Sequence, residues 1–360
     1  MPERLRFGHR VCEAAHVTRH ITATAPTRIC DCGGWTDTWF ARHGGVFHIA
    51  VEPGARVDVQ ASGREAGGAP VTIHAENFGD TYDFFPGARP WGPHPLLEAA
   101  IESVGVPAGL HLEVRVRSEM PPGAAVGTSA SVCVALVGAL RRLAGDAVDR
   151  HVVAIAAQRV ETERLALQSG VQDQLAAAYG GVNYVDIDAY PHARVHPIML
   201  PAGMRDRLQA RLMLVVLARR HRSTEVHAQV IRDAADTPLA QAALEDLRRA
   251  AIVAREAVRA GDLPALGRAM RDNTDAQRRL HPALVSAEAK RLIGVARRHY
   301  AAGWKVNGAG GDGGSLTILC GPGAADRAAL ESAISSAVPD CRFVPVRIAA
   351  EGLRVTEREA

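Results

Sequence analysis

The chain has 360 residues, of which 47% are apolar and 22% charged, and its formal net charge is +3. These values are typical of a soluble protein with a substantial core, and the small charge, without a Lys/Arg stripe between aromatic residues, gives no case for a nucleic-acid partner. The six cysteines form no C-x-x-C pair. No apolar run is long enough to span a membrane, and the N-terminal segment lacks the apolar core of a signal peptide. We therefore expect a reduced, cytoplasmic protein without a membrane partner.

The first quarter of the chain predicts mainly β-structure. Polar and apolar residues alternate in residues 20–31, 45–51 and 55–61, and shorter β-like pieces follow at 71–74 and 81–85. This period of two places one face of each strand toward a core.

The next segment predicts helices around one more strand. A Pro- and Gly-rich loop, EMPPGAAVGTSAS at 119–131, opens directly into an apolar run. A Gly-Gly pair at 180–181 is a usual helix stop. The predicted elements are a helix at 95–104, a strand at 110–117 and helices at 132–143, 148–167 and 172–179.

The second half of the chain mixes both element types. After strands at 182–187 and 194–200, the Pro-Ala-Gly at 201–203 is the predicted domain boundary. Further predicted elements are a strand at 212–217, three or four helices between 224 and 300, a Gly-rich loop at 308–314, a strand at 315–320, a helix at 324–336 and a strand at 342–348. Because strands and helices are grouped and do not strictly alternate, the fold class is α+β.

The loop at 121–131 is the first segment whose residues suggest a chemical function. A glycine-containing turn that delivers Thr-Ser to a helix start offers unpaired backbone N–H groups and the positive end of the helix dipole, which both suit a phosphate. An ordinary N-cap is the alternative. The usual G-x-x-x-x-G-K-[ST] loop is absent.

Three further segments are ambiguous when each is taken alone. GAGGDGG at 308–314 predicts a close backbone approach or a flexible hairpin, and APTR…GGWTD at 25–37 a sugar pocket or a structural ion pair. Glu161 and Asp173 lie in a pattern that suits a Mg²⁺ ligand and a base, or solvated helix faces.

Taken together and in this order, the four segments resemble the signatures of the GHMP superfamily of small-molecule kinases. APTRI…GGWTD resembles the N-terminal signature of its sugar kinases, and PPGAAVGTSAS resembles the phosphate loop P-x-G-x-G-L-x-S-S. ETERLALQSGVQDQLAAAYGG is similar to the segment with the Mg²⁺-binding glutamate and catalytic aspartate, and KVNGAGGDGGSL to the third motif, G-A-G-G-G-G. The resemblance spans roughly residues 23–320.

This resemblance implies a role for each matching residue. Asp173 is expected to be the catalytic carboxylate, with Arg28 holding it ionised and stabilising charge on the transferred phosphoryl group. Ser129 and Glu161 are expected to ligate Mg²⁺. The residues expected to bind ATP are Pro122, Gly123, Ala124, Ala125, Gly127, Thr128, Ser129, Gly308, Gly310 and Gly311. Those expected to bind substrate are Trp35, Thr36, Asp37, Gly170 and Arg222.

The resemblance also implies a two-domain architecture. Residues 1–200 are expected to form the ATP-binding catalytic domain and residues 201–360 a ferredoxin-like domain, with the active site in the cleft between them. Two departures from the motifs stand out, because Ala125 adds a Cβ to the phosphate loop and Asp312 interrupts the glycines of the third motif.

The substrate expectation comes from branches of the family. The QDQ-x-AAA-x-GG string and Arg222-Ser223-Thr224-Glu225-Val226 resemble heptose-phosphate kinases, whereas GGWTDT resembles fucokinase-like anomeric kinases and the spacing from Glu161 to Asp173 resembles galactokinase. We therefore expect ATP- and Mg²⁺-dependent phosphorylation of a sugar or sugar phosphate at the anomeric hydroxyl, first of all a heptose 7-phosphate. A fucose-, arabinose- or galactose-type kinase and a catalytically weak sugar and nucleotide sensor are the alternatives. The sequence leaves the oligomeric state open, with a homodimer as one outcome.

Overall fold

The computed structural model describes residues 18–217, 223–234 and 237–359. Strands and helices are grouped along the chain and do not strictly alternate, as the sequence pattern predicted. The strands are β1 (Arg19–Cys32), β2 (Gly44–Gly63), β3 (Val71–Ala75), β4 (Asp80–Phe84), β5 (Leu110–Ser118), β6 (Val182–Ala189), β7 (His192–Pro197), β8 (Leu212–Val216), β9 (Gly303–Val306), β10 (Ser315–Leu319), β11 (Arg342–Val344), β12 (Arg347–Ile348) and β13 (Arg354–Glu359).

The helices cover both faces of these strands. They are α1 (Pro95–Val104), α2 (Thr128–Leu143), α3 (Arg150–Arg159), α4 (Gln172–Tyr179), α5 (Met204–Arg211), α6 (Ser223–Ala234), α7 (Pro238–Ala260), α8 (Leu263–Leu280), α9 (Ala287–Arg298) and α10 (Ala324–Ala337). A π-helical turn, Val160–Arg164, extends α3, and a 3₁₀ turn, Pro282–Leu284, follows α8. No described helix has an apolar stretch long enough to cross a membrane.

The strands form two sheets. The larger has the path β13-β1-β2-β5-β3-β4, with β6 and β12 also pairing with β2 and β7 pairing with β6. All its pairs are antiparallel except β3 with β5. The smaller sheet is antiparallel, in the order β11-β8-β10-β9.

The larger sheet has a core on each face. Alternate residues of β1 and β2, such as Ile21 and Val57, pack with α1 to α4 in one cluster, while Ile29 and Ile49 pack with α5, α7 and α8 in another. The smaller sheet packs against α9 and α10. This arrangement places the start of α2, the start of α4 and the end of β1 close together.

The strands predicted at 45–51 and 55–61 are one continuous strand, β2. Gly54 allows this, because a Cβ at that position would lie 2.0 Å from the Ala25 carbonyl oxygen of β1. The register of β1 against β2 shifts between Ala25 and Thr27, so both strands bend together at this point.

The sequence prediction missed α5, β9 and β13. It also placed residues 342–348 in one strand, whereas β11 joins the smaller sheet and β12 the larger. The division into residues 1–200 and 201–360 stays a prediction. Two strands of the second segment, β12 and β13, pair with strands of the first segment. Cys30 and Cys32 are buried and free, as packing residues would be.

Candidate active site

The loop before α2 has a backbone suited to an anion. Gly123, Ala125 and Gly127 all have left-handed φ values, of 80°, 56° and 74°. Gly127 occupies the N-cap position of α2, and no side chain caps the helix there. The N–H groups of the first turn are therefore available to a ligand at the positive end of the helix dipole.

The first turn of α4 places a carboxylate opposite this loop. Asp173 accepts hydrogen bonds from Arg28 Nε at 2.8 Å and from Arg28 Nη2 at 3.1 Å, a bidentate pair. Arg28 Nη1 donates to the Ala125 carbonyl at 2.7 Å. Burial by itself would lower the pKa of Arg28, but the nearby carboxylates, Asp173 first, raise it. Arg28 therefore stays cationic and fixes Asp173 beside the phosphate loop.

A second carboxylate holds the start of α4. Asp37 Oδ2 accepts from the backbone N–H groups of Val171 and Gln172 at 3.1 and 3.2 Å. Burial, followed by the charge of Asp173, raises the pKa of Asp37 to about 6. Gly170 permits this approach, because a Cβ there would lie 2.0 Å from Asp37 Oδ2.

Glu161 lies in the π-helical turn and is 7% exposed. Its Oε2 accepts from Ser169 Oγ at 2.5 Å and Gln174 Nε2 at 3.1 Å. Burial raises its pKa to about 7, with a further contribution from Asp173, against the lowering effect of the hydrogen bond from Ser169. Without a nearby cation this group is therefore partly protonated at neutral pH.

The oxygen donors of Glu161 and Ser129 fit Mg²⁺, which prefers hard oxygen ligands. The described residues contain no group of three or more His, Cys, Asp or Glu side chains that could hold a metal ion. A hydrated Mg²⁺ shared with substrate phosphates needs only one or two protein carboxylates, and Glu161 and Ser129, which line the same cavity, are compatible with such a site.

These groups surround a cavity of about 400 Å³. It brings together segments that are far apart in the sequence. The predicted site residues that line it are Arg28, Trp35, Asp37, Gly123, Ala124, Ala125, Gly127, Thr128, Ser129, Glu161, Gly170, Asp173 and Gly308.

Among the described residues, Thr36, Gly310 and Gly311 do not line this cavity, and Pro122 lines a neighbouring pocket. Thr36 is fully buried, and its hydroxyl donates to a loop carbonyl at 2.7 Å, so it shapes the loop and does not face the cavity. Gly310 and Gly311 pack on the 3₁₀ turn, where a Cβ at position 310 would lie 2.2 Å from the Leu284 carbonyl oxygen. Arg222 lies outside the described residues.

Trp35 contributes more to the core than to the cavity. Its side chain is 3% exposed and packs in a cluster with Phe40, Leu244 and Leu280. Only a small part of this residue is therefore available to a ligand.

A buried charge pair that the sequence did not predict joins β9, next to the Gly-rich loop, to β1, and the Gly-rich loop itself packs against the phosphate loop. Lys305 Nζ lies 3.2 Å from Asp31 Oδ1, and both side chains are fully buried. Asp31 Oδ2 accepts from the Gly308 N–H at 3.0 Å, and a Cβ at Gly308 would lie 2.8 Å from the Ala125 carbonyl oxygen. The available signal was Lys305 itself, a charged residue in the otherwise apolar strand GWKV.

An apolar pocket of about 360 Å³ adjoins the phosphate loop on its other side. Pro122 lines this pocket, together with Phe78, His94 and Val132. The ring centroids of Phe78 and His94 are 5.0 Å apart. The two pockets share Gly123, Leu96, Thr128 and Ser129, so they are adjacent.

Comparison with known proteins agrees with this geometry. The family model "GHMP kinases N terminal domain" matches residues 95–181, which include the phosphate loop, Glu161 and Asp173. The chain therefore contains a GHMP kinases N terminal domain, and its fold is that of the GHMP kinases.

Individual relatives share this fold at low sequence identity. A D-glycero-alpha-D-manno-heptose 7-phosphate kinase from Campylobacter jejuni is 23% identical over 57% of this chain and 60% of its own length. A mevalonate kinase from Pyrococcus horikoshii is 28% identical over 72% of this chain and 73% of its own length. The crystal structure of a D-glycero-D-manno-heptose 1-phosphate kinase from Bacteroides thetaiotaomicron superposes with a TM-score of 0.70 and 17% identity, covering 93% of this chain and 98% of that one. The protein is thus a homologue of the GHMP kinases, with sugar kinases among its relatives.

Proposed function

We propose that this protein is an ATP- and Mg²⁺-dependent kinase that phosphorylates the anomeric hydroxyl of a sugar, first of all a heptose 7-phosphate. The observation that most strongly supports this proposal is the Arg28–Asp173 pair beside the uncapped start of α2. It puts a fixed carboxylate and a fixed cation next to an anion site, the combination that phosphoryl transfer requires.

Each of these residues then has a defined task. Asp173 accepts or orients the proton of the attacking hydroxyl. Arg28 keeps Asp173 ionised and stabilises negative charge on the transferred group. The backbone N–H groups of Gly127 to Ser129 bind the phosphates, and the apolar pocket beside Phe78 takes the nucleoside.

The metal requirement rests on Glu161 and Ser129. When bound, Mg²⁺ neutralises charge on the phosphates of ATP. Glu161 lies in a buried position where a proton is the alternative partner of its carboxylate, since burial raises its pKa to about 7. It is therefore suited to exchange a proton for a cation.

One observation favours a neutral sugar as the second candidate. The only basic side chain among the described residues that line the cavity is Arg28, which is already bonded to Asp173. A phosphate on the sugar needs another cation, for which Arg220 and Arg222 are available in the sequence, outside the described part of the chain. Fucose-, arabinose- and galactose-type sugars need no such residue.

The test is ADP release by the purified protein with Mg-ATP across free sugars and sugar phosphates. Turnover of a heptose 7-phosphate supports the leading proposal if Arg222→Ala raises the KM for this substrate. Turnover of a neutral sugar that Arg222→Ala leaves unchanged supports the second. If no sugar stimulates ADP release but sugar and nucleotide still bind, the protein is a sensor and the kinase proposal is wrong.

Asp173→Asn tests the role of Asp173, because asparagine keeps the shape of the side chain. We expect it to lower kcat by about 10² to 10⁴-fold while ATP still binds. Nearly full activity in this folded variant would refute the role of Asp173.

A further inference from the structure

Asp37 caps helix α4 from a loop that is distant in the sequence. Val171, the residue at the N-cap position of this helix, provides no side-chain hydrogen bond. Asp37 Oδ2 takes that role across 134 positions, because it accepts from the backbone N–H groups of Val171 and Gln172 at 3.1 and 3.2 Å. A carboxylate with these bonds stabilises the start of a helix and complements the positive end of the helix dipole.

The two helices that begin at the cavity therefore differ in how their first turns are held. Gly127 has no side chain that could cap α2, so the N–H groups of that helix are available to a ligand. The cap of α4 belongs to the protein, and it is buried, since Asp37 is only 3% exposed. The first turn of α4 is thus held by the protein itself, whereas that of α2 is left for an anion.

Asp173 is the functional residue on the turn that Asp37 holds. It directly follows Gln172 in α4. Arg28 fixes the carboxylate of Asp173, while Asp37 fixes the backbone from which that side chain extends. We infer that Asp37 is a positioning residue for phosphoryl transfer: by capping α4 it holds Asp173 at the place where the attacking hydroxyl reacts. This inference rests on the proposed function, in which Asp173 meets that hydroxyl.

Gly170 offers an independent way to disturb the cap. This glycine does not have a left-handed φ, so alanine brings no such backbone strain there. The new Cβ would lie 2.0 Å from Asp37 Oδ2, so the carboxylate must move away from the start of α4. Gly170→Ala therefore displaces the cap and keeps the charge of Asp37.

The kinetic test measures ADP release at saturating Mg-ATP with D-glycero-D-manno-heptose 7-phosphate or, if the panel selects a neutral sugar, L-fucose. Asp37→Ala should lower kcat by about 10- to 100-fold, because a displacement of about 1 Å at a reacting group can cost this much. Asp37→Asn should keep kcat within about threefold, because asparagine caps a helix about as well as aspartate. Gly170→Ala should resemble Asp37→Ala, and combining the two should cause no further loss, because both changes act through one cap.

Hydrogen exchange provides a readout that does not depend on turnover. In Asp37→Ala and Gly170→Ala, the amides of Val171 and Gln172 should exchange about 5- to 10-fold faster, whereas Asp37→Asn should protect them as the wild type does. Asp262→Ala is the matched control. Asp262 caps α8 by accepting from the Ala265 N–H at 2.8 Å, and α8, which is described over its whole length, does not line the cavity. We expect this control to speed exchange only at the start of α8 and to keep the wild-type kcat.

Four results would overturn the inference. A folded Asp37→Ala that keeps kcat and raises only the KM for the sugar would make Asp37 a sugar ligand. An equal loss of kcat in Asp37→Asn and Asp37→Ala would show that the charge matters and the cap does not. Unchanged exchange in Gly170→Ala, or a wild-type kcat in that variant, would show the same even if Asp37→Ala fails to fold. These three outcomes leave the kinase proposal intact, whereas a wild-type enzyme that turns over no sugar overturns both.

Discussion

The buried pair of Asp31 and Lys305 allows a quantitative test of how the Gly-rich loop is held. Both side chains are fully buried, and their charged atoms are 3.2 Å apart. Lys305→Met removes the cation and leaves the buried Asp31 carboxylate with the hydrogen bond from the N–H of Gly308. Removing one partner of such a pair typically lowers the free energy of unfolding by about 3–5 kcal/mol.

The double variant Asp31→Asn/Lys305→Met separates charge burial from general damage. Asparagine keeps an acceptor for Gly308 and leaves no buried charge. We therefore expect the double variant to be more stable than Lys305→Met, and its loss to be well below the sum of the two single losses. If the unpaired carboxylate in Lys305→Met takes up a proton, the loss of unfolding free energy in this variant will become smaller as the pH falls.

The assay is urea unfolding at pH 7 and pH 5, followed by circular dichroism and by tryptophan fluorescence, to which Trp304, next to Lys305, contributes. A loss below about 1 kcal/mol for Lys305→Met, or strictly additive losses in the double variant, would refute the reasoning, because either result means that the two charges are not coupled.

Three further predictions concern the cavity. Because burial raises the pKa of Glu161 to about 7, the apparent Mg²⁺ affinity should fall as the pH drops from 8 to 6, when a proton competes for the carboxylate. Kinetic Mg²⁺ titrations measure this, and Glu161→Gln should weaken Mg²⁺ binding and flatten the profile; an unchanged profile would contradict the assignment. Gly127→Ala should lower kcat, and it should lower the free energy of unfolding by about 1–2 kcal/mol, because φ is 74° and the new Cβ would lie 3.2 Å from the Asp173 carboxyl carbon. A variant that keeps the wild-type kcat and thermal midpoint would contradict this prediction. Ala125→Gly should raise stability by up to about 1 kcal/mol, because alanine here has a φ of 56° and glycine removes that strain at some entropic cost; a lower urea midpoint would show that this strain is absent.

Ala125 and Asp312, the two residues that depart from the family motifs, differ in their structural surroundings. Ala125 adopts the left-handed backbone that the loop requires, and its carbonyl accepts from Arg28. The chain therefore keeps the loop shape in spite of the added Cβ. Asp312 is exposed and is not among the residues that line the cavity beside Gly308.

Local patterns in the sequence were sufficient for most of the elements. The helix bounds at 95–104 and 172–179 agree with α1 and α4, because apolar periodicity and glycine stops are properties of consecutive residues. Glu161, Asp173, Arg28 and the phosphate loop could be named for the same reason, since each lies within a short motif.

The elements that the sequence missed depend on distant partners. β13, RVTERE, contains only one apolar residue, and it becomes a strand because β1 offers it an edge. β9 is only four residues long and includes Lys305, a residue that argues against a buried strand until its partner Asp31 is known.

The sequence by itself determined the α+β class, the order of the motifs and the residue types of the site, because backbone propensity and side-chain chemistry belong to the chain wherever it folds. Only the tertiary structure decided that Arg28 bonds to Asp173 across 145 positions, that Trp35 is mostly core and that Lys305 forms a buried pair with Asp31. Burial and hydrogen-bond partnership depend on which surfaces meet, and neither can be read from neighbouring residues alone.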